Sequence, residues 1–235
     1  MNKKSEISKL ILPQFANRQF DYSGMDNLKG CLDQELFLRW PHPVNYKYNS
    51  RGFRDQEWPQ DLNSAVWCFG DSFTVGIGSC FEHTWPQVLS QHSQRRVINV
   101  SMDGASNEWI ARQVCDAYDL AQPRRMVLMW SYLHRRENAD NVQSDLDRRL
   151  HSVRSTIIQD FENLRACRKQ VHEHCAGASI IELIIPNFVN DAEQPGDFSP
   201  DVIRVEYLDR ARDGHHFDIV TAEWVATQVQ NLLNS

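Results

Sequence analysis

The chain has 235 residues, with 25 Lys and Arg against 31 Asp and Glu, and a formal net charge of −6. This length corresponds to one α/β domain or two small ones and is sufficient to bury a core. Hydrophobic residues make up 41% of the chain and aromatic residues 10%, a composition that excludes global disorder. The acidic balance argues against a nucleic-acid partner, and no apolar run approaches the roughly 20 residues of a membrane span.

The first residues, Met1 to Ser8, include two lysines with no apolar segment after them, and therefore do not resemble a secretory signal. The six cysteines contain no CxxC pair, which argues against a zinc knuckle or a thioredoxin-type motif. We therefore expect a cytoplasmic protein with reduced thiols.

Residues 1–60 differ from the rest of the chain, because they are rich in Asn, Asp, Arg and aromatic residues and lack a regular apolar pattern. A short helix is predicted within 32–40, and the segment Pro41-His42-Pro43 is predicted to be a loop. We expect this region to pack on the core as an N-terminal extension, which divides the chain into 1–60 and 61–235.

From residue 64 onward, short apolar segments alternate with amphipathic ones. The predicted strands span residues 65–69, 97–100, 126–130, 180–185 and 202–207. The predicted helices are one that begins at Thr84, one over 106–120 with Ser106 or Asn107 as its cap, and two over 141–174 and 219–233. This alternation predicts a parallel sheet with helices on both faces and a ligand site at the carboxyl ends of the strands.

A serine follows the first predicted strand directly. The segment Phe69-Gly-Asp-Ser-Phe-Thr-Val-Gly76 carries the chain from this strand into Ser72, which the topology places at the C-terminal edge of the sheet. A serine held there can present its hydroxyl and its backbone N–H to one substrate atom. The alternative is a serine that only stabilises a turn.

An acid and two histidines precede the last predicted helix, in Arg212-Asp-Gly-His-His-Phe217. A serine hydroxyl becomes a good nucleophile when a base removes its proton, and histidine is the usual base near neutral pH. A carboxylate can orient the imidazole and stabilise its charged form. Asp213 and His216 are three residues apart on a predicted loop, so they can converge on Ser72. His215 is the rival base. The alternative for either histidine is that it is only an exposed loop residue.

Together, Gly70-Asp-Ser-Phe73 and Asp213-x-x-His216 resemble the GDSL/SGNH hydrolase superfamily. The resemblance extends over residues 45–235 and implies a three-layer α/β/α, flavodoxin-like fold with about five parallel strands in the order 2-1-3-4-5. Three further blocks are similar to that family: Asn49-Ser-Arg-Gly-Phe-Arg-Asp55, Thr84-Trp-Pro86 and Val97-Ile-Asn-Val-Ser-Met-Asp-Gly104.

The resemblance implies a role for each matching residue. Ser72 would be the nucleophile and would donate one oxyanion hydrogen bond from its own N–H, and Gly104 would donate a second. His216 would be the general base, with Asp213 behind it. The Asp-x-x-His spacing favours His216 over His215, which is expected to be a solvated loop residue.

The third strand departs from the family pattern. It continues as Met129-Trp-Ser-Tyr-Leu-His-Arg-Arg-Glu137 and lacks the Gly-x-Asn-Asp turn whose Asn donates the third oxyanion hydrogen bond. Ser131 and Asn107 are the candidates to replace this donor. Arg135 or Arg136 could enter the site, but a surface or helix-cap position is expected for each of them. Loss of one such donor can cost about a hundredfold or more in rate.

The expected function is serine-dependent ester hydrolysis through an acyl-enzyme on Ser72, by an esterase or deacetylase acting on a small acyl ester, with a sugar ester preferred. No cofactor or metal is expected, because the histidines of Val171-His-Glu-His-Cys175 are two residues apart and lie on different helix faces. A lipid or thioester substrate, acyl transfer to a sugar hydroxyl, and a non-catalytic binding or structural module on the same fold are the alternatives. The oligomeric state cannot be read from the sequence.

Overall fold

The structure is a computed structural model, and it describes residues 10–137, 156–186 and 202–234. Its strands are β1 (Gln19–Phe20), β2 (Tyr46–Lys47), β3 (Val66–Gly70), β4 (Val97–Ser101), β5 (Arg125–Trp130), β6 (Ser179–Ile184) and β7 (Ile203–Arg204). Its α-helices are α1 (Gln34–Arg39), α2 (Ser72–Val75), α3 (Trp85–Ser93), α4 (Asn107–Ala121), α5 (Ile157–His174) and α6 (Ile219–Asn234), and a 3₁₀ turn spans Phe81–His83.

The strands β3 to β7 form one parallel sheet in the spatial order β4-β3-β5-β6-β7. Numbered along the chain within this sheet, the order is 2-1-3-4-5, so the predicted flavodoxin-like order is confirmed. Every residue of β3 is buried, because β3 lies between β4 and β5 and both faces of the sheet are covered.

Alternate residues of β3 enter two hydrophobic clusters on opposite faces of the sheet, as the period of two along a strand requires. Trp67 and Phe69 pack with residues of α4 and α5, including Trp109 and Phe161. On the other face, side chains of β3 pack with residues of α3 and α6. The result is the predicted three-layer α/β/α arrangement.

The helix boundaries follow local capping. Ser106 caps α4, because its hydroxyl accepts a hydrogen bond from the Trp109 amide at 3.2 Å. A capping box between Thr156 and Gln159 makes α5 begin at Ile157, so the helix predicted over 141–174 does not continue through Thr156. Residues 141–155 of that prediction lie outside the described residues.

Two other boundaries differ from the prediction. The fifth strand of the sheet, predicted over 202–207, is the short β7. Thr84 precedes α3 as predicted, but its hydroxyl donates to the Phe81 carbonyl at 2.9 Å and makes no capping bond to α3. Among the described residues, none of the helices is long and apolar enough to cross a membrane.

The described part of the N-terminal region packs against the α/β core. Leu10, Leu12 and Phe53 belong to the same buried cluster as the sheet residues, and β1 pairs with β2 in a small antiparallel sheet. Arg54 is 1% exposed and donates to four backbone carbonyls, one in the N-terminal region, one at the end of α2 and two just after α2: Asn45, Val75, Gly76 and Ser79. The segment 49–55 therefore fastens this region to the loop that follows Ser72.

Candidate active site

The chain leaves β3 in a tight turn that presents Ser72. Asp71 is the N-cap of α2, since its Oδ1 accepts a hydrogen bond from the Phe73 amide at 3.1 Å. Ser72 is the first residue of α2 and is 3% exposed. The turn therefore holds Ser72 at the carboxyl end of a central strand, where α/β folds build their sites.

The second element of the site is the loop before α6. Nδ1 of His216 lies 2.6 Å from Oδ2 of Asp213. The other carboxylate oxygen of Asp213 accepts hydrogen bonds from the backbone amides of His215 at 2.9 Å and His216 at 3.0 Å. These bonds fix the orientation of the carboxylate and of the imidazole it contacts.

The two elements meet through Phe73. The ring of this residue, which immediately follows Ser72, lies 4.7 Å between centroids from the His216 ring. The Nε2 atom of His216 is buried and has no hydrogen-bond partner within the described parts of the chain. A buried imidazole with one nitrogen bound to a carboxylate and the other unpaired is arranged to accept a proton from a nearby group.

The electrostatics of the pair favour a charged imidazole. Burial alone lowers the pKa of His216, but the charge and hydrogen bond of Asp213 outweigh burial and raise this pKa above its ordinary value. For Asp213, burial raises the pKa, and the opposing interaction with His216 and the two backbone amides holds it below the ordinary value. Asp213 therefore stabilises the imidazolium that would form when His216 accepts a proton.

His215 differs from its predicted position. It is half-buried rather than solvated, and its Nε2 lies 3.4 Å from the Tyr132 hydroxyl. Its ring lies 5.7 Å from that of Phe73. Burial, together with the charge of His216, lowers the pKa of His215 to about 4. His215 is therefore neutral near pH 7 and forms part of an aromatic wall beside the site.

Arg135 is buried beside the Ser72 turn, which is the less favoured of the two positions expected from the sequence. It is 5% exposed rather than a surface group, and its Nη1 donates to Oδ2 of Asp71 at 2.8 Å and to the Ser131 hydroxyl at 2.9 Å. The Ser131 hydroxyl donates to the same Asp71 oxygen at 2.7 Å. Arg135 and Ser131 thereby brace the acid that caps the Ser72 turn. The signal available in the sequence was Asp71 itself, since a buried carboxylate requires a partner.

The candidates for the third oxyanion donor are both hydrogen-bonded. The Asn107 side chain pairs with the backbone of Ser131, accepting from its N–H at 2.8 Å and donating to its carbonyl at 3.1 Å. The hydroxyl proton of Ser131 is directed at Asp71. Asn107 keeps a second amide proton beyond the one it donates to Ser131, whereas the single hydroxyl proton of Ser131 is already donated to Asp71. Gly104 has φ 73°, a left-handed conformation that glycine adopts without strain.

The two histidines of the 171–175 segment bind separate carboxylates. His172 lies 3.2 Å from Glu182, and His174 lies 2.7 Å from Asp119. In the described ranges, no three His, Cys, Asp or Glu side chains come together in a way that could hold a metal ion.

Comparison with known proteins gives matches at the level of structure only: no family model matches the chain, and no curated protein matches it. A lipolytic protein of the G-D-S-L family from Desulfitobacterium hafniense is 14% identical, with 72% of this chain and 99% of that chain covered and a TM-score of 0.44. A lipase/acylhydrolase from Enterococcus faecalis is 14% identical, with 72% and 94% covered and a TM-score of 0.45.

A family two carbohydrate esterase from Clostridium thermocellum, solved in complex with cellohexaose, is also 14% identical, with 76% of this chain and 66% of that chain covered and a TM-score of 0.44. The chain is thus similar to solved structures that include GDSL-family proteins, the family its sequence motifs resemble.

Proposed function

We propose that this chain is a serine-dependent ester hydrolase of the GDSL/SGNH type. The observation that carries the proposal is the 2.6 Å contact between His216 and Asp213, with Nε2 of His216 buried and unpartnered beside the turn that holds Ser72. A histidine oriented by a carboxylate and adjacent to a serine is the arrangement that activates a hydroxyl nucleophile.

In the first half of the reaction, the Ser72 oxygen attacks the ester carbonyl carbon while Nε2 of His216 accepts the hydroxyl proton. The tetrahedral intermediate collapses, the bond to the alcohol oxygen breaks, and His216 returns its proton to the departing alcohol. In the second half, water attacks the acyl group on Ser72 by the same route, with His216 first accepting and then returning a proton. Asp213 stays ionised and stabilises the transient imidazolium.

The oxyanion of each intermediate would be stabilised by backbone N–H groups of Ser72 and Gly104. For the third donor we favour Asn107 over Ser131, because the Ser131 hydroxyl donates to Asp71 while Asn107 keeps one amide proton. Donors fixed in place before the reaction stabilise the developing negative charge without reorganisation.

We propose a small acyl ester, with a sugar as the preferred alcohol part, as the substrate. Partly exposed rings of Tyr132, Tyr207 and His215 lie around Phe73, and centroid distances from Phe73 to them are 6.4, 6.4 and 5.7 Å. Aromatic rings with polar tips provide apolar faces and hydrogen-bonding groups together, which suits a carbohydrate surface.

The test is hydrolysis of p-nitrophenyl acetate together with labelling by a fluorophosphonate probe, followed by mass spectrometry to locate the label. We expect turnover, a single label on Ser72, and loss of both in Ser72→Ala. Ser64→Ala, at an exposed serine outside the site, should retain both. A folded wild-type protein that neither hydrolyses the ester nor reacts with the probe would instead indicate a non-catalytic module.

A further inference from the structure

Asp26, in the N-terminal region, is a fully buried carboxylate that reaches the loop of the proposed catalytic acid. Its two oxygens accept hydrogen bonds from Nε and Nη2 of Arg212 at 2.6 and 2.8 Å, which is a bidentate ion pair. The hydroxyl of Tyr46 donates to the same carboxylate at 2.5 Å. Asp26 therefore has a fixed position and fixes Arg212, the residue before Asp213.

The backbone of the same loop is held by further bonds to the N-terminal region. The Leu32 amide donates to the Asp213 carbonyl at 2.7 Å. The Tyr46 hydroxyl accepts a hydrogen bond from the Gly78 amide at 2.8 Å, and the Gly78 carbonyl accepts one from the Arg212 amide at 3.4 Å. Asp26, Leu32 and Tyr46 thus surround the segment that begins with Arg212.

This anchoring determines where the Asp213 carboxylate lies. Among the residues that the structure describes, the hydrogen-bond partners of this carboxylate all belong to its own loop: the amides of His215 and His216 and the ring of His216. A carboxylate bonded only to its own loop moves when the loop backbone moves. The position of the Asp213–His216 pair relative to Ser72 therefore depends on contacts supplied by a segment almost 190 residues earlier in the chain, since Asp26 and Arg212 are 186 residues apart.

We infer that Asp26 is a positioning residue, which acts through Arg212 to hold the Asp213–His216 pair in register with Ser72. This inference rests on the proposed function and extends it: the N-terminal region becomes part of the machinery of the site and not only a cover for the core. Small displacements matter at such sites, because a misplacement of about 1 Å can cost on the order of a hundredfold in rate.

The experiment is a double-variant cycle with Asp26→Asn, Arg212→Met and both together, measured by kcat, KM, fluorophosphonate labelling rate and thermal midpoint. Each single variant should lower kcat and the labelling rate by about tenfold or more with little change in KM. The double variant should be about as slow as each single variant, because both changes remove the same interaction. Asp26→Glu, which retains the carboxylate, should recover part of the rate.

The double variant also separates positioning from stability. It buries no unpaired charge, so its thermal midpoint should exceed those of the single variants. If its rate recovers together with its thermal midpoint, Asp26 acts on stability alone and the inference is wrong. Unchanged rates in a folded Asp26→Asn protein would also overturn it.

A matched control is Glu35→Gln, which breaks an exposed ion pair with Arg39 on α1 of the same N-terminal region. It should leave all four measurements unchanged. A wild-type protein without turnover and without labelling would overturn the proposed function itself. An active wild type with equally active variants would overturn only the positioning role of Asp26.

Discussion

The guanidinium of Arg135 lies 2.8 Å from the carboxylate of Asp71, and both side chains are buried. Asp71 in turn caps the turn that presents Ser72. This pair lies near the carboxyl end of β5, the third strand of the parallel sheet along the chain, where the sequence lacks the Gly-x-Asn-Asp turn. The positive charge of Arg135 compensates that of Asp71 and fixes the turn, so Ser72, the proposed nucleophile, is held by an ion pair that the family pattern does not predict.

Arg135→Met should therefore destabilise the protein and slow the reaction. Loss of one partner leaves a buried carboxylate uncompensated, which typically costs roughly 3–5 kcal/mol in the free energy of unfolding. Arg135→Lys should lose less, because it keeps the charge but not the planar fork of donors. Urea denaturation and initial rates with p-nitrophenyl acetate measure the two effects.

The control is Arg39→Met, at an exposed arginine whose ion pair is open to solvent. It should change the free energy of unfolding by less than about 0.5 kcal/mol. If Arg135→Met does not fold, the double variant Asp71→Asn/Arg135→Met tests the same point, since it should regain stability while the rate stays low. A double variant with the wild-type rate would show that the ion pair does not position Ser72.

The contacts that were predicted from the sequence and those that were not differ in how far apart the two partners lie along the chain. The strand order followed from the family resemblance, and the contact between Asp213 and His216 followed from a motif of four consecutive residues. The pairs Arg135–Asp71 and Arg212–Asp26 join residues 64 and 186 positions apart. No periodicity or spacing marks such partners, because they are selected by tertiary proximity and by the cost of burying a lone charge.

The start of α5, which Thr156 caps, is a different case. The capping box with Gln159 is local and legible in the sequence. The apolar periodicity across 141–174 masked it, because a continuing pattern of three and four residues does not by itself indicate where a helix begins. The capping residues therefore indicate the start of α5, and the periodicity does not.

The rate should depend on pH through His216. In the proposed mechanism the neutral imidazole accepts the Ser72 proton, so the protonated form should be inactive and activity should rise with pH. Because the interaction with Asp213 outweighs burial and raises the pKa of His216 above its ordinary value, kcat/KM for a neutral ester should rise in one step centred above the ordinary pKa of an imidazole. Initial rates with p-nitrophenyl acetate at a series of pH values measure the step.

Asp213→Asn supplies the comparison. It removes the charge that favours the imidazolium, so the step should move to lower pH and the maximal rate should fall strongly. A wild-type profile with its step at or below about 5, or a profile that Asp213→Asn leaves in place, would contradict the role of the pair.

The two adjacent histidines should behave differently on substitution. His216→Ala should remove nearly all turnover, because His216 is the base that Asp213 orients. His215→Ala should leave most of it, since burial and the charge of His216 lower the pKa of His215 to about 4 and its Nε2 lies beside the Tyr132 hydroxyl. Turnover of both variants at saturating ester, with circular dichroism to verify folding, is the measurement. An inactive His215→Ala beside an active His216→Ala would transfer the role of the base to His215.

Gly78→Ala should disturb the loop that carries Asp213, because Gly78 packs closely against the Asp213 carboxylate. Gly78 has φ +79°, and a Cβ atom built there would lie 2.8 Å from Cβ of Ala211 and 3.1 Å from Oδ1 of Asp213. The left-handed backbone alone costs an alanine about 1–2 kcal/mol. The added methyl group also presses on the loop that orients His216, so kcat should fall by more than the loss of stability explains.

The comparison for this variant is Gly177→Ala, whose methyl group would meet the Tyr118 hydroxyl at 2.6 Å and lies outside the proposed site. Both variants should lower the thermal midpoint, and only Gly78→Ala should lower kcat and the rate of fluorophosphonate labelling at temperatures where each protein is fully folded. Equal kcat values in the two variants would mean that the Asp213 loop adjusts to the methyl group, and that close packing against Gly78 is not what holds the carboxylate in place.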